Sequence, residues 1–284
     1  MASHSLPPLP EQRVIIQGGG DAANTLTCTA RLGLNPRLIS KIADDMPGSS
    51  ILRELEADGV DTSVLVVAKE GVTPFSYVIV DQKTNTRTCI FTPGHPPLKP
   101  DDLSPSNLED AMRGASVVYF DGRLPYTAAF VAQEAARRNI PILLDAEKKR
   151  EGLDDILVFA RYAVCAAKFP QAWTEAPTIG SALVSMLLRL SKLKFVIVTL
   201  GAMGCIMLER IDTERPTEEV DVDSSLRSLE QRKDNTVTIP ICILSVMFLL
   251  SFSEKSMVFT TIPDTLMSEL SVHGFTAVLD QMDF

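Results

Sequence analysis

Gly18-Gly19-Gly20-Asp21, inside "IQGGGDAANTLTCTARLG" (16–33), sets a glycine run and a carboxylate where a helical pattern begins. Three chemistries use such a start. A dinucleotide turn needs G-x-G-x-x-G: Gly18, Gly20 and Ala23 supply it, and Asp44 or Asp45 would stand at the distance of a ribose ligand. A phosphate cradle needs free backbone N–H groups at a helix N-terminus, with a carboxylate such as Asp21 to take a hydroxyl proton. An acceptor site needs glycine for close backbone approach and an amide, here Asn24, to exchange hydrogen bonds with a polyol. The plain alternatives are that Asp21 caps the helix and that Asn24 is an ordinary first-turn polar residue.

The elements that must position these residues alternate. Apolar recurrence at three and four residues predicts helices over 22–34, 48–58, 126–138, 151–160 and 178–191. Short β-branched runs predict buried strands over 37–42, 115–120, 140–145, 162–165 and 194–200, the rhythm of βαβ units and a mainly parallel sheet. The runs 64–68, 75–81 and 86–91 follow one another without helices. They predict an antiparallel ribbon, either an edge extension of the sheet or a lid over a pocket.

Composition narrows the classes. Lys and Arg number 27 against 36 Asp and Glu, a net charge of −9, with no basic stripe interleaved with aromatics, so nucleic acid is not an expected partner. The five cysteines are scattered without Cys-x-x-Cys or Cys/His spacing, which reads as reduced thiols and not as a disulfide frame or zinc site. The first twelve residues are proline-rich and lack the pattern of a signal or transit peptide, so 1–12 reads as a flexible tail, with a polyproline recognition motif as the alternative. Residues 210–235 are charged and poor in large apolar side chains, as a linker is. Residues 236–252 carry no charge but fall short of the ~20 apolar residues of a usual membrane span. A membrane span is therefore the least expected fate, beside a buried element or a segment with no settled place in the fold.

Several motifs in order then matter more than any one. "GGGDAANTLTCTARLG", "KIADDMPG" (41–48), "LEADGVDTS" (55–63), "TPFSYVIVD", "TRTCIFTPG", "VVYFDGR", "IPILLDAEKKR" and "VIVTLGAMGC" together resemble the pfkB, or ribokinase-like, family of carbohydrate and nucleoside kinases over residues 13–209. The wording is nearest to plant members of the pseudouridine-kinase kind, with ketohexokinase-like members next. The resemblance implies an α/β, three-layer ribokinase-like fold with a mainly parallel central sheet, helices on both faces and a small antiparallel β lid at 64–92. It implies ATP and Mg²⁺ as cofactors, a small sugar or nucleoside as partner, a homodimer through the lid, and a cytoplasmic or peroxisomal place, although no peroxisomal signal ends this chain.

By the same resemblance Gly19 and Gly20 match the glycine pair that lets the lid hinge, and Asn24 matches the side chain that binds substrate hydroxyls. Asp21 stands where relatives tend to carry Asn, so a charged acceptor replaces an amide that can donate. Thr199, Gly201 and Gly204 match the nucleotide-side turn. Asp145 and Glu147 would reach Mg²⁺ or phosphate through water, or simply end a strand. Two departures stand out. A "DTTGAGDAF"-like helix start, which supplies the family's anion hole and catalytic Asp, is not found in 205–284, so no catalytic residue is assigned. The family's first "xxGxxxxD" strand is also not found before the glycines. The expectation is a core truncated at both ends, incomplete at its C-terminus, with 236–284 divergent and activity weak or absent.

Overall fold

The structure, a computed structural model, describes residues 16–81, 83–84, 86–201 and 204–210. The expected proline-rich tail, charged linker and apolar C-terminal segment lie outside the described residues.

The first helix, α1 (Asp21–Arg31), opens after Gly20, whose φ of 101° suits glycine. Asp21 in its first turn and Arg31 in its last complement the helix dipole, and Thr25, Cys28 and Thr29 face inward at helical spacing. A short parallel βαβ unit follows: β1 (Lys41–Ala43), α2 (Met46–Ala57) and β2 (Val66–Ala68). The strand expected at 37–42 therefore shifts and shortens, because Arg37 and Leu38 turn toward Asp61 instead of continuing a ladder. The run at 64–68 leaves the expected ribbon and pairs with β1. Only β3 (Phe75–Asp81) and β4 (Thr86–Thr92) form the antiparallel ribbon, in register from Phe75↔Thr92 to Asp81↔Thr86.

A 3₁₀ turn (Pro100–Asp102) and α3 (Pro105–Met112) lead to a five-stranded sheet. Its strands are β5 (Val118–Phe120), β6 (Ile142–Ala146), β7 (Tyr162–Ala166), β8 (Phe195–Thr199) and β9 (Cys205–Glu209), in that spatial order. β5 to β8 run parallel, and β9 returns antiparallel as an edge strand. Between them lie α4 (Pro125–Arg137), α5 (Asp154–Leu157), α6 (Phe169–Thr174) and α7 (Ile179–Arg189). The helix expected at 151–160 is one turn only, and the sequence pattern does not announce α3, α6 or β9.

The sheet separates two apolar layers by the period-two alternation of strand side chains. Leu144, Ala146, Ala163, Cys165, Val196 and Val198 face α3 to α7, while Leu143, Tyr162, Val164, Phe195 and Ile197 face the side where Leu34, just past α1, is packed. Because β6 to β8 are buried on both faces, their sequences are nearly continuous apolar runs, with Asp145 the exception in β6. Among the described residues no helix is long and apolar enough to cross a membrane.

Candidate active site

Ligands of open α/β sheets gather beyond the carboxyl ends of parallel strands, and the chain concentrates its buried acids there. β5 ends in the loop Asp121-Gly122-Arg123-Leu124. Gly122 has φ 68°, and a Cβ on it would lie 3.0 Å from the Asp145 carbonyl oxygen, so glycine lets this loop rest on β6. Leu124 is held left-handed at φ 46° in the residue before Pro125 opens α4, a backbone state that costs energy for a branched side chain. The Asp121 carboxylate accepts the Arg123 N–H at 3.0 Å and a backbone bond from Ala22, in the first turn of α1. That bond docks the start of α1 on the end of β5.

The same loop aims Arg123 across the junction. Its Nη2 and Nε donate to Asp21 Oδ2 at 2.8 and 3.2 Å, and Nη2 lies 3.7 Å from Glu147 Oε2. Glu147 in turn accepts from Arg150 at 2.9 Å. Below this exposed layer sits Asp145, only 4% exposed at the end of β6. Its Oδ2 accepts the Tyr119 hydroxyl at 3.1 Å, and Thr25 of α1 donates to that hydroxyl at 3.5 Å. Asp145 Oδ1 has no hydrogen-bond partner among the described residues.

Burial, then the negative charge of Asp21, pushes the Asp145 carboxyl up to about 8. Asp145 is therefore mostly a neutral acid near pH 7 and able to donate a proton. Burial and Asp21 also push Asp121 up, and burial beside Asp145 pushes the Tyr119 hydroxyl well up. A buried carboxyl with an unused oxygen suits a hard cation, which would favour its ionised form. Among the described residues no three His, Cys, Asp or Glu are arranged as a cation cage. Mg²⁺, however, is commonly held by one or two carboxylates together with phosphate and water. Asp145 fits that role better than Glu147, which is half-exposed and already engaged by two arginines.

Gly19, Gly20, Asp21 and Asn24 therefore come together at the start of α1, and hydrogen bonds tie that start to Asp121, to Asp145 through Tyr119, and to Arg123. Gly18 is anchored separately: its N–H donates to Glu54 of α2. Thr199, Gly201 and Gly204 lie at the same end of the sheet but three strands along from β5, in the β8–β9 turn. Gly201 and Gly204 take φ 60° and 86°, and the Gly204 N–H donates to the Gly201 carbonyl at 2.9 Å, near the half-buried Thr199. The structure thus groups Gly19, Gly20, Asp21 and Asn24 with the acids and sets Thr199, Gly201 and Gly204 apart.

Two motifs prove to be scaffolding. Asp45 of "KIADDMPG" accepts from Gly48 N at 2.8 Å, from Thr73 N at 2.9 Å and from the Thr73 hydroxyl at 2.6 Å, joining β1, α2 and the chain entering β3. Asp61 of "GVDTS" accepts from Ser63 and Arg37, which hold its carboxyl down at about 2. Tyr119, Asp121 and Arg123 are the site residues that motif spacing does not single out. Their signal is an apolar strand running straight into Asp-Gly-Arg, a strand end with a turn that needs positive φ.

Comparison with known proteins bears on the family and the fold. The chain is 27% identical over 132 residues to the ATP-dependent ribose-1-phosphate kinase of Halopiger xanaduensis, covering 46% of this chain and 43% of that one. It is 24% identical over 212 residues to the ribokinase of Mus musculus, covering 71% and 64%. The chain thus spans less than two thirds of either relative's length. The fold matches the crystal structure of Anopheles gambiae adenosine kinase in complex with P1,P4-di(adenosine-5) tetraphosphate with a TM-score of 0.61 at 17% identity, over 82% of this chain and 81% of that one. The model of the pfkB family carbohydrate kinases matches residues 7–224. With that model spanning most of the chain and the ribokinase-like α/β fold beneath it, the chain belongs to the pfkB carbohydrate kinase family.

Proposed function

We propose that the site is built for ATP-dependent phosphoryl transfer to a hydroxyl of a small sugar or nucleoside, of the pseudouridine or ketose class. The observation that carries this is the docking of α1, with Gly19, Gly20, Asp21 and Asn24, against the buried acids at the carboxyl ends of β5 and β6. In this reading those four residues hold the acceptor. Thr199, Gly201 and Gly204 meet the nucleotide, and Asp145, with Glu147 at the rim, faces Mg²⁺. A bound Mg²⁺ would offset charge on the phosphoryl group. Asn24 offers a donor and an acceptor to hydroxyls, and Tyr119 fixes the orientation of Asp145.

A second reading has its own support. The glycine-rich helix start that supplies the anion hole and base in this family is not found in 205–284, and loss of a single such donor costs ~10²–10³ in rate. The chain is then a kinase-like binding module, a truncated isoform with weak or no turnover. The ribbon β3–β4 exposes Tyr77, Val78, Ile79, Val80, Ile90 and Phe91, an apolar surface suited to pairing two copies through their lids. A cytoplasmic or peroxisomal place follows from the family reading alone.

Calorimetry with Mg-ATP and with pseudouridine, fructose and ribose, beside isotope-traced ATP turnover, separates the two readings. Binding with turnover supports the kinase. Binding without turnover supports the module. Failure to bind ATP and every polyol overturns both.

A further inference from the structure

We infer that Asp21 and Arg123 form a charge filter on the acceptor side: Asp21 occupies the guanidinium that an acidic sugar would otherwise claim, so the site takes neutral hydroxylated acceptors in preference to carboxylated or phosphorylated ones. This rests on the start of α1 being the acceptor surface, and it adds which acceptors that surface admits.

A guanidinium is the side chain best shaped to grip a carboxylate or phosphate, since its planar fork offers parallel donors. Arg123 is reachable from solvent, with 44% of its side chain exposed. It is also spent. Nε and Nη2 both donate to Asp21 Oδ2, Glu147 stands 3.7 Å from Nη2, and Asp121 accepts its backbone N–H. Arg150 shares Glu147 but reaches none of the other acids through a described contact. An incoming anion that takes the Nε–Nη2 edge would have to displace Asp21 and then face the freed carboxylate beside Asp121. A neutral polyol meets no such cost: its hydroxyls can donate to the Asp21 carboxylate and exchange bonds with the Asn24 amide.

The position of Asp21 sharpens the test, because asparagine has the same shape. Asp21→Asn removes the charge and leaves the first turn of α1 its acceptor oxygen. Arg123 then keeps only a neutral hydrogen bond to the amide oxygen and its longer contact to Glu147, so its positive charge is less compensated.

The experiment is calorimetry on the full 284-residue chain, with D-ribose and uridine as neutral probes and D-gluconate and ribose 5-phosphate as anionic ones. The unaltered chain is expected to bind a neutral probe more tightly than either anion. Asp21→Asn is expected to raise affinity for the anions relative to the neutral probes by about three- to tenfold, allowing for the half-exposed setting of the pair. The gain should shrink in high salt and vanish in the double variant D21N/R123Q. An anion preference in the unaltered chain, an unchanged ratio in D21N, or a gain that survives loss of Arg123 would each overturn the filter while leaving the acceptor site standing. Failure of every form to bind any of the four probes would remove the acceptor reading, and the filter with it.

Discussion

Asp145 carries a stability statement whose sign can be worked out. Its ordinary value is 3.8 and burial, aided by Asp21, raises it to about 8 in the fold. Below pH 4 both folded and unfolded chains hold the proton and the residue costs nothing. Between about 4 and 8 the unfolded chain ionises while the folded one keeps its proton, so stability falls as pH rises through that window and levels off above it. Asn cannot ionise. Asp145→Asn is therefore expected to match the unaltered chain near pH 4 and to exceed it by a few kcal/mol, on the order of the pKa displacement, near pH 8. Thermal melting across pH 4 to 9 checks this, and parallel curves for the two proteins would refute it. The same substitution should weaken Mg²⁺-dependent ATP binding, because an amide is a poorer ligand for a hard cation than a carboxylate.

At the level of elements, the ribbon depends on one node. Asp45 caps α2 and accepts from both the N–H and hydroxyl of Thr73, and the Thr73 hydroxyl accepts from the Ala43 N–H of β1 at 3.0 Å. Although burial works to raise its carboxyl, the bonds from Thr73 and Gly48 hold it below the ordinary range. Asp45→Ala leaves those donors without their acceptor and is expected to cost about 2 kcal/mol in chemical denaturation. Gly48→Ala should do at least as much harm, since a Cβ there would stand 2.3 Å from the Ala43 carbonyl oxygen. By contrast, Ile79→Glu and Ile90→Glu fall on the exposed ribbon, with 59% and 52% of each residue exposed. They should leave the circular dichroism spectrum unchanged and shift any dimer to monomer in sedimentation. A dimer that persists would place the contact elsewhere.

These elements also show what the sequence could tell. β6, β7 and β8 are legible because both faces are buried, so mostly apolar runs mark them, interrupted in β6 by Asp145. The ribbon is legible from alternating β-branched residues around a polar turn, yet 64–68 has the same composition and pairs elsewhere, since strand composition does not choose a partner. α6 hides because Phe169, Pro170 and Thr174 are all buried in six residues, too few to display a helical period. In the proposed site, Asn24 and the glycines are expected from a local motif. Arg123 is not: its importance comes from reaching Asp21, 102 positions away in sequence, through a left-handed loop.

Taken as a whole molecule, the fold brings the residues proposed for acceptor and nucleotide to one end of a single sheet, and binding does not require all that chemistry does. In the proposed reading affinity arises from Asn24, the glycine turns and Asp145, while acceleration needs donors aimed at the moving phosphoryl group. A ligand that binds only the folded chain stabilises it by about 2.7 kcal/mol at 100 times its Kd, which for a body of this size raises Tm by roughly 5 to 10 °C. We therefore expect Mg-ATP to raise Tm by that amount while isotope-traced turnover stays at least ~10²-fold below that of a chain in which a glycine-rich acidic helix start follows β9. A Tm shift accompanied by full turnover would show that residues after Glu209 supply the cradle by another sequence. If Mg-ATP produced no shift, the nucleotide role given to Thr199, Gly201 and Gly204 would fail.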